Sequence, residues 1–267
     1  MTLSGELNFL DALNADGIAK QKLHVMLVVD TSRSMQGERI SQVNTAIADI
    51  HKYLIDLQSE NSNVDFYISI MTFANQAEFL PGYKGVNVKD MMPPKLKAIG
   101  YSNLHLAYEE LAPVLHKESE GGMMPDFGGI APIILLLTDG HPSKSTEKQL
   151  EKLKKLPWFR VSLRYGIAIE LNDERTMSVL TDFTEDRECV IKCIESSTLA
   201  KIIQVIVLTA SKVKSQSSAV KANRSMKSNP SPLSKIVKNK QTPPQNSNTA
   251  VKQQVKATLD EIDNWEW

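Results

Sequence analysis

Cysteine is scarce in this chain: two in 267 residues, Cys189 and Cys193. Two thiols four positions apart, with no second pair, make neither a disulfide framework nor a zinc site, and they read as buried thiols. Histidine is nearly as rare, and the residues at 24, 51, 105, 116 and 141 show no metal-ligand spacing. No apolar run reaches the roughly 18–20 residues that a spanning helix needs, so no membrane span is expected. The start, Met1-Thr2-Leu3-Ser4-Gly5-Glu6, lacks the basic region and apolar core of a secretion signal. Together these absences point to a reducing, cytoplasmic setting. Also missing are a GxxxxGK[ST] phosphate loop, a GxSxG elbow and a GxGxxG following a strand, so the commonest nucleotide and hydrolase motifs are out.

Net charge is absent too, because 31 basic and 31 acidic residues cancel. The balance conceals a split. Residues 211–258 carry ten Lys and Arg and no acid, and the last nine residues carry four acids and no base. The remainder, 1–210, is acidic. Such asymmetry concerns partners rather than fold.

What the chain does have is the stretch from His24 to Met35. Val25-Met26-Leu27-Val28-Val29 is short, apolar and β-branched, the pattern of a strand buried on both faces. Asp30 stands at its carboxyl end, where open α/β sheets bind ligands. Ser32 and Ser34 follow at alternate positions, so one tight turn gathers a carboxylate and two hydroxyls. All are hard oxygen donors, suited to Mg²⁺ or Mn²⁺ rather than zinc. The plainer alternative is that Asp30 and Ser32 only cap the following helix.

Asp30-Thr31-Ser32-Arg33-Ser34 resembles the DxSxS motif of the von Willebrand factor A domain, in its metal-ion-dependent adhesion site. That site also uses a Thr in a Gly-rich turn and an Asp after a later buried strand. Gly100-Tyr101-Ser102-Asn103-Leu104 stands where Gly-Gly-Thr-x-Leu is usual, with Ser102 keeping the hydroxyl. Leu135-Leu136-Leu137-Thr138-Asp139-Gly140 supplies the Asp. The resemblance spans roughly residues 20–210 and looks most like the bacterial TerY group. It implies a non-enzymatic, metal-dependent protein-interaction module. Ser32, Ser34 and Ser102 would ligate the cation directly, and Asp30 and Asp139 directly or through water. One open position would take a Glu or Asp of the partner. It further implies a stress-response setting associated with tellurite resistance, with a Ser/Thr kinase and a PP2C-type phosphatase as partners. The cysteine-rich module of some TerY relatives has no counterpart.

The rest of the chain fits an α/β, doubly wound, mainly parallel sheet with one antiparallel edge strand. Residues 1–22 read as a lead-in and 23–212 as the domain. Ile40, Val43, Ile47, Ile50, Leu54 and Leu57 predict a helix over 38–58. Its positive end would lie near Ser32 and Ser34. Strands are predicted at 64–73, 132–138, 161–170 and 189–194, with an edge strand at 77–80. The stretch 86–94 reads as irregular. Helices are predicted at 102–116, 146–156, 173–183 and 197–212. This alternation implies a parallel sheet covered on both faces.

Residues 213–258 are rich in Ser, Lys, Asn, Gln and Pro, too polar to offset the entropy of ordering, and read as a disordered tail. Its charge could attract nucleic acid or anionic lipid, but without interleaved aromatics no specific nucleic-acid binding is expected. The tip, 259–267, carries acids around Leu259, Ile262, Trp265 and Trp267. It reads either as a docking segment, able to reach its own domain, or as a featureless end. One enzymatic alternative stands beside the adhesion site: a Mg²⁺-dependent phosphohydrolase of haloacid dehalogenase type also ends a strand on Asp. That chemistry needs a second Asp two residues on, where this chain has Ser32.

Overall fold

The computed structural model describes residues 20–60, 64–140, 142–169, 173–193, 199–207, 249, 252–253 and 255–257. Among these residues seven strands form one sheet: β1 (Gln21–Asp30), β2 (Val64–Phe73), β3 (Ala77–Phe79), β4 (Val86–Asn87), β5 (Ile133–Thr138), β6 (Leu163–Ile169) and β7 (Val190–Cys193). Their order is β3-β2-β1-β5-β6-β7, with β4 also paired to β2. The pairs β1–β2, β1–β5, β5–β6 and β6–β7 are parallel, and β3 and β4 run antiparallel to β2. The expected mainly parallel sheet with an antiparallel edge is therefore what forms. The edge holds two short strands, since Val86–Asn87 pairs with Tyr67 and Ile68 inside the stretch read as irregular.

Helices accompany the sheet at α1 (Glu38–Glu60), α2 (Leu104–Val114), α3 (Glu147–Lys154), α4 (Pro157–Val161) and α5 (Glu174–Thr184). Residues 199–207 are helical as well. The alternation along β1 decides which helices lie where. Leu23, Val25, Leu27 and Val29 join the core formed with Val43, Ile47, Ile50 and Leu54 of α1 and Ile203 and Ile206. Met26 and Val28 join the opposite core, with Leu111 of α2, Leu153 of α3, Phe159 of α4 and Leu180 of α5. Both faces are thus covered, and β1 and β5 are buried strands. The lead-in ends earlier than expected, because β1 already starts at Gln21. Helix α4 was not expected; Pro157 stands at its first positions, where the missing amide hydrogen costs nothing.

Two buried polar groups bear on stability. Arg164 of β6 is 6% exposed. It donates to the carbonyls of Phe159 and Phe183 and pairs with Glu185 at the end of α5. Glu185 has a left-handed φ of 58°. His24 of β1 is 5% exposed, and both its ring nitrogens lack a hydrogen-bond partner among the described residues. Burial, helped by Lys22 and opposed by Glu118, pushes its pKa down from 6.5 to about 4. Below pH 6.5 the unfolded chain takes a proton that the folded chain refuses. Stability should therefore fall as pH drops from 6.5 to 4, by about 3 kcal/mol in all. Urea melts at several pH values will show this slope, and His24→Leu should flatten it.

Cys189 is buried, with burial pushing its thiol up to about 11. The side chain of Cys193 lies outside the described residues, as do most of the lead-in, the tip and most of the stretch read as a tail. Of that stretch, residues 249, 252–253 and 255–257 are described, and they are helical. Val255 is 1% exposed in the core that includes α1, while Lys252 and Lys256 pair with Asp186 and Glu188. The four-residue spacing of Val251, Val255 and Leu259 was the available signal. No helix among the described residues is long and apolar enough to cross a membrane.

Candidate metal centre

In this strand order the chain winds from β1 towards β2, then returns to β5 on the other side of β1. The carboxyl ends of β1 and β5 thus meet at the point where the winding reverses, a place where open sheets leave a crevice. Val29 is in register with Leu137, so Asp30 and Thr138 finish their strands side by side. The Thr138 hydroxyl donates to Asp30 Oδ2 at 2.7 Å.

Three loops are laced together around this pair. The amide of Arg33 donates to the carbonyl of Gly100 at 2.9 Å, and that of Ile99 to Thr31 at 2.7 Å. The amide of Ser143 donates to the carbonyl of Ser102 at 2.8 Å. Gly100 has φ +96°, and a Cβ there would meet the Asn75 side chain at 2.8 Å. Asn75 Oδ1 in turn accepts from the Tyr101 amide, so the turn that presents Ser102 requires glycine at 100.

All five residues singled out from the sequence belong to one hydrogen-bonded chain. Ser102 donates to Asp30 Oδ2 at 3.0 Å, and the Ser32 amide to Asp30 Oδ1 at 2.8 Å. The Ser32 and Ser34 hydroxyls are 3.0 Å apart. Ser34 donates to Asp139 Oδ1 at 2.8 Å. Asp30 and Asp139 are each 0% exposed. Sequence reasoning missed two members. Thr138 sits inside the motif that supplies Asp139, and strand parity puts its hydroxyl on the face of Asp30. Arg39, in the first turn of α1, donates to Asp139 Oδ2 at 2.7 Å and to the Ser34 carbonyl at 3.0 Å. A cation one helical turn from the motif was the only sign of it. His141, two residues beyond Asp139 in the sequence, lies outside the described residues.

The electrostatics are those of a carboxylate held in a costly place. Burial pushes the Asp30 pKa up, against hydrogen bonds from Ser32, Thr138 and Ser102 that pull it down. Asp30 makes no ion pair among the described residues, whereas Asp139 is neutralised by Arg39.

The donor set fits a small hard cation. Adjacent oxygens of an octahedron with 2.0–2.1 Å bonds are about 2.9 Å apart. The Ser32–Ser34, Ser34–Asp139 and Ser102–Asp30 oxygens are separated by 3.0, 2.8 and 3.0 Å. Among the described residues, no three His, Cys, Asp or Glu side chains form a metal-holding group, so hydroxyls must carry much of any coordination. The plainer capping role fails at Ser32, whose side chain makes no cap to the following turn, and that turn is a short 3₁₀ helix rather than α1. Open cavities flank the cage on two sides. One of about 690 Å³ is lined by Arg39, Asp139 and the start of α5. Another of about 410 Å³ is lined by Arg33, Ile99, Tyr101 and Ser102.

A doubly wound sheet with a hydroxyl-and-carboxylate cage at its winding reversal defines a class of adhesion and interaction domains. The chain belongs to the von Willebrand factor type A domain family, whose model matches residues 24–204. It is 30% identical over 135 residues to human inter-alpha-trypsin inhibitor heavy chain H6, covering 48% of this chain and 10% of that one. Among solved structures, it resembles proximal thread matrix protein 1 from the mussel byssus, at 15% identity and a TM-score of 0.51. That likeness covers 72% of this chain and 48% of the mussel protein. The pilus adhesin SpaC of Lactobacillus rhamnosus GG matches with a TM-score of 0.52 and 12% identity, over 68% of this chain and 30% of the adhesin. The chain thus spans less than half the length of each.

Proposed function

We propose that this protein is a non-catalytic binding module that holds a protein partner by an acidic side chain, through a divalent cation. Ser32, Ser34 and Ser102 would hold Mg²⁺, or Mn²⁺, with Asp30 and Asp139 beside them. The bound cation supplies an electrophilic point for the partner's carboxylate. The chain's own residues set that point up: the hydroxyls are neutral, so the charge is only partly quenched, and Thr138 orients Asp30. The single observation that carries the reading is the continuous chain of hydrogen bonds from Ser102 through Asp30 and Ser32 to Ser34 and Asp139.

The hydrolase alternative is less well supported. The position where it needs a second acid holds Ser32, whose amide serves Asp30 and whose hydroxyl meets Ser34. The cytoplasmic, TerY-like setting with a Ser/Thr kinase and a PP2C-type phosphatase as partners rests on the sequence resemblance alone.

Affinity capture from a cell extract in Mg²⁺, followed by elution with EDTA, tests the proposal. At least one protein should elute with EDTA, and Asp30→Ala should capture none of it. Capture that is unchanged by EDTA would sink the proposal. A kinase or phosphatase in the eluate would support the signalling setting. A phosphatase screen with Asp30→Asn as control tests the hydrolase reading.

A further inference from the structure

We infer that the rim of the cage is a docking surface for the chain's own segment 258–267, an acid of which meets the cation while a tryptophan covers Ile99 and Tyr101. The inference rests on the cation-dependent reading above. It starts from two side chains that burial should claim. Ile99 is 70% exposed and Tyr101 75% exposed, on either side of the glycine that positions Ser102. With the exposed Arg33 they border the smaller of the two cavities at the cage. A ligand matched to this rim carries an acid for the cation and Arg33, and a large apolar group for Ile99 and Tyr101. The segment Thr258-Leu259-Asp260-Glu261-Ile262-Asp263-Asn264-Trp265-Glu266-Trp267 offers four acids, no base and two tryptophans.

Reach is the second argument. The residues just before this segment are anchored. Val255 is buried in the core, Lys252 pairs with Asp186 at 3.2 Å, and Lys256 pairs with Glu188. Lys192 of β7 is in register with Ala168, and Ala168 with Thr138. Two strand spacings, about 10 Å, therefore separate Lys192 from the level of the cage. Glu188 precedes Lys192 by four residues, at most about 13 Å of chain. Glu188 therefore lies at most roughly 23 Å from Thr138, and ten residues can span about 33–36 Å. A tether this short holds the segment at an effective concentration of order millimolar, so a weak contact suffices.

The test uses the full chain and its tryptophan fluorescence. Trp158 is half-buried against the core and serves as a constant background. Adding Mg²⁺ should shift the emission to the blue and protect Trp265 and Trp267 from acrylamide, and EDTA should reverse both. Ile99→Ser with Tyr101→Ser should lose the shift while still binding Mg²⁺ in calorimetry. A synthetic 258–267 peptide should compete, with a Kd below the roughly millimolar effective concentration of the tether. Mg²⁺ binding with no change in fluorescence would overturn the docking and leave the cation site standing. Failure to bind Mg²⁺ at all would remove both. A shift that grows with protein concentration would place the segment on a second copy and overturn the intramolecular form.

Discussion

In EDTA, the Asp30→Asn variant should melt above the wild-type chain, and in Mg²⁺ the order should reverse. Asp30 is fully buried, and burial raises its pKa against every hydrogen bond it accepts. Ionising this carboxylate in the metal-free fold therefore carries a cost. Asparagine keeps the oxygen that accepts the Ser32 amide. Its amide group can donate to the hydroxyls of Thr138 and Ser102, which can turn to accept. The expected gain is about 1–2 kcal/mol, worth roughly 2–4 °C per kcal/mol in a domain of this size. With cation, the wild type gains about 2.7 kcal/mol at a hundredfold excess over Kd, and the variant gains nothing. Calorimetric melts of both proteins in EDTA and in Mg²⁺ give all four values. If Asp30→Asn melted lower in EDTA, the carboxylate would be a net stabiliser of the empty site, contrary to this account.

Arg39→Gln should tighten cation binding by ten- to a hundredfold. The guanidinium contacts the free oxygen of Asp139, whose other oxygen accepts from Ser34. A cation held by those groups would feel its charge at close range. A unit charge and a divalent one about 5 Å apart repel by about 7 kcal/mol at an effective dielectric of 20, and partial exposure and the intervening carboxylate reduce this severalfold. The same substitution leaves buried Asp139 without its counter-charge, so the metal-free variant should melt lower than the wild type. Isothermal titration with Mg²⁺ reads the first effect, and melts in EDTA the second. A weaker affinity would mean that Arg39 helps to hold the cage in shape more than it repels the ion.

The sheet was legible because its pattern is local. The apolar run at 25–29 and the alternation across 64–73 name their strands without reference to the rest of the chain. The five cage residues were legible for a similar reason, since each is fixed by a short motif at a strand end or turn. What was not legible depends on neighbours far apart in sequence. Thr138 matters because β1 and β5 are adjacent, which no single segment states. Arg39 matters because a helix turn happens to face a carboxylate a hundred residues away. The small strand β4 escaped notice because two residues have no period, and its existence rests on β2 offering free edge groups. The anchored turn around Val255 was obscured by composition: lysines that look like solvated tail find Asp186 and Glu188 as partners.

Helix α5 begins at the larger cavity beside the cage and ends at Glu185, which pairs with Arg164. Glu185 adopts a backbone that glycine would take more easily. The ease of that substitution is therefore misleading. Glycine would relax the turn yet remove the carboxylate that meets a buried guanidinium, and an apolar residue at 164 would leave the left-handed turn to its bond to Thr181 and its looser pair with Lys154. The helix bordering the cage is thus held at both ends, by the Asp173 cap at its start and by the Arg164–Glu185 pair at its finish.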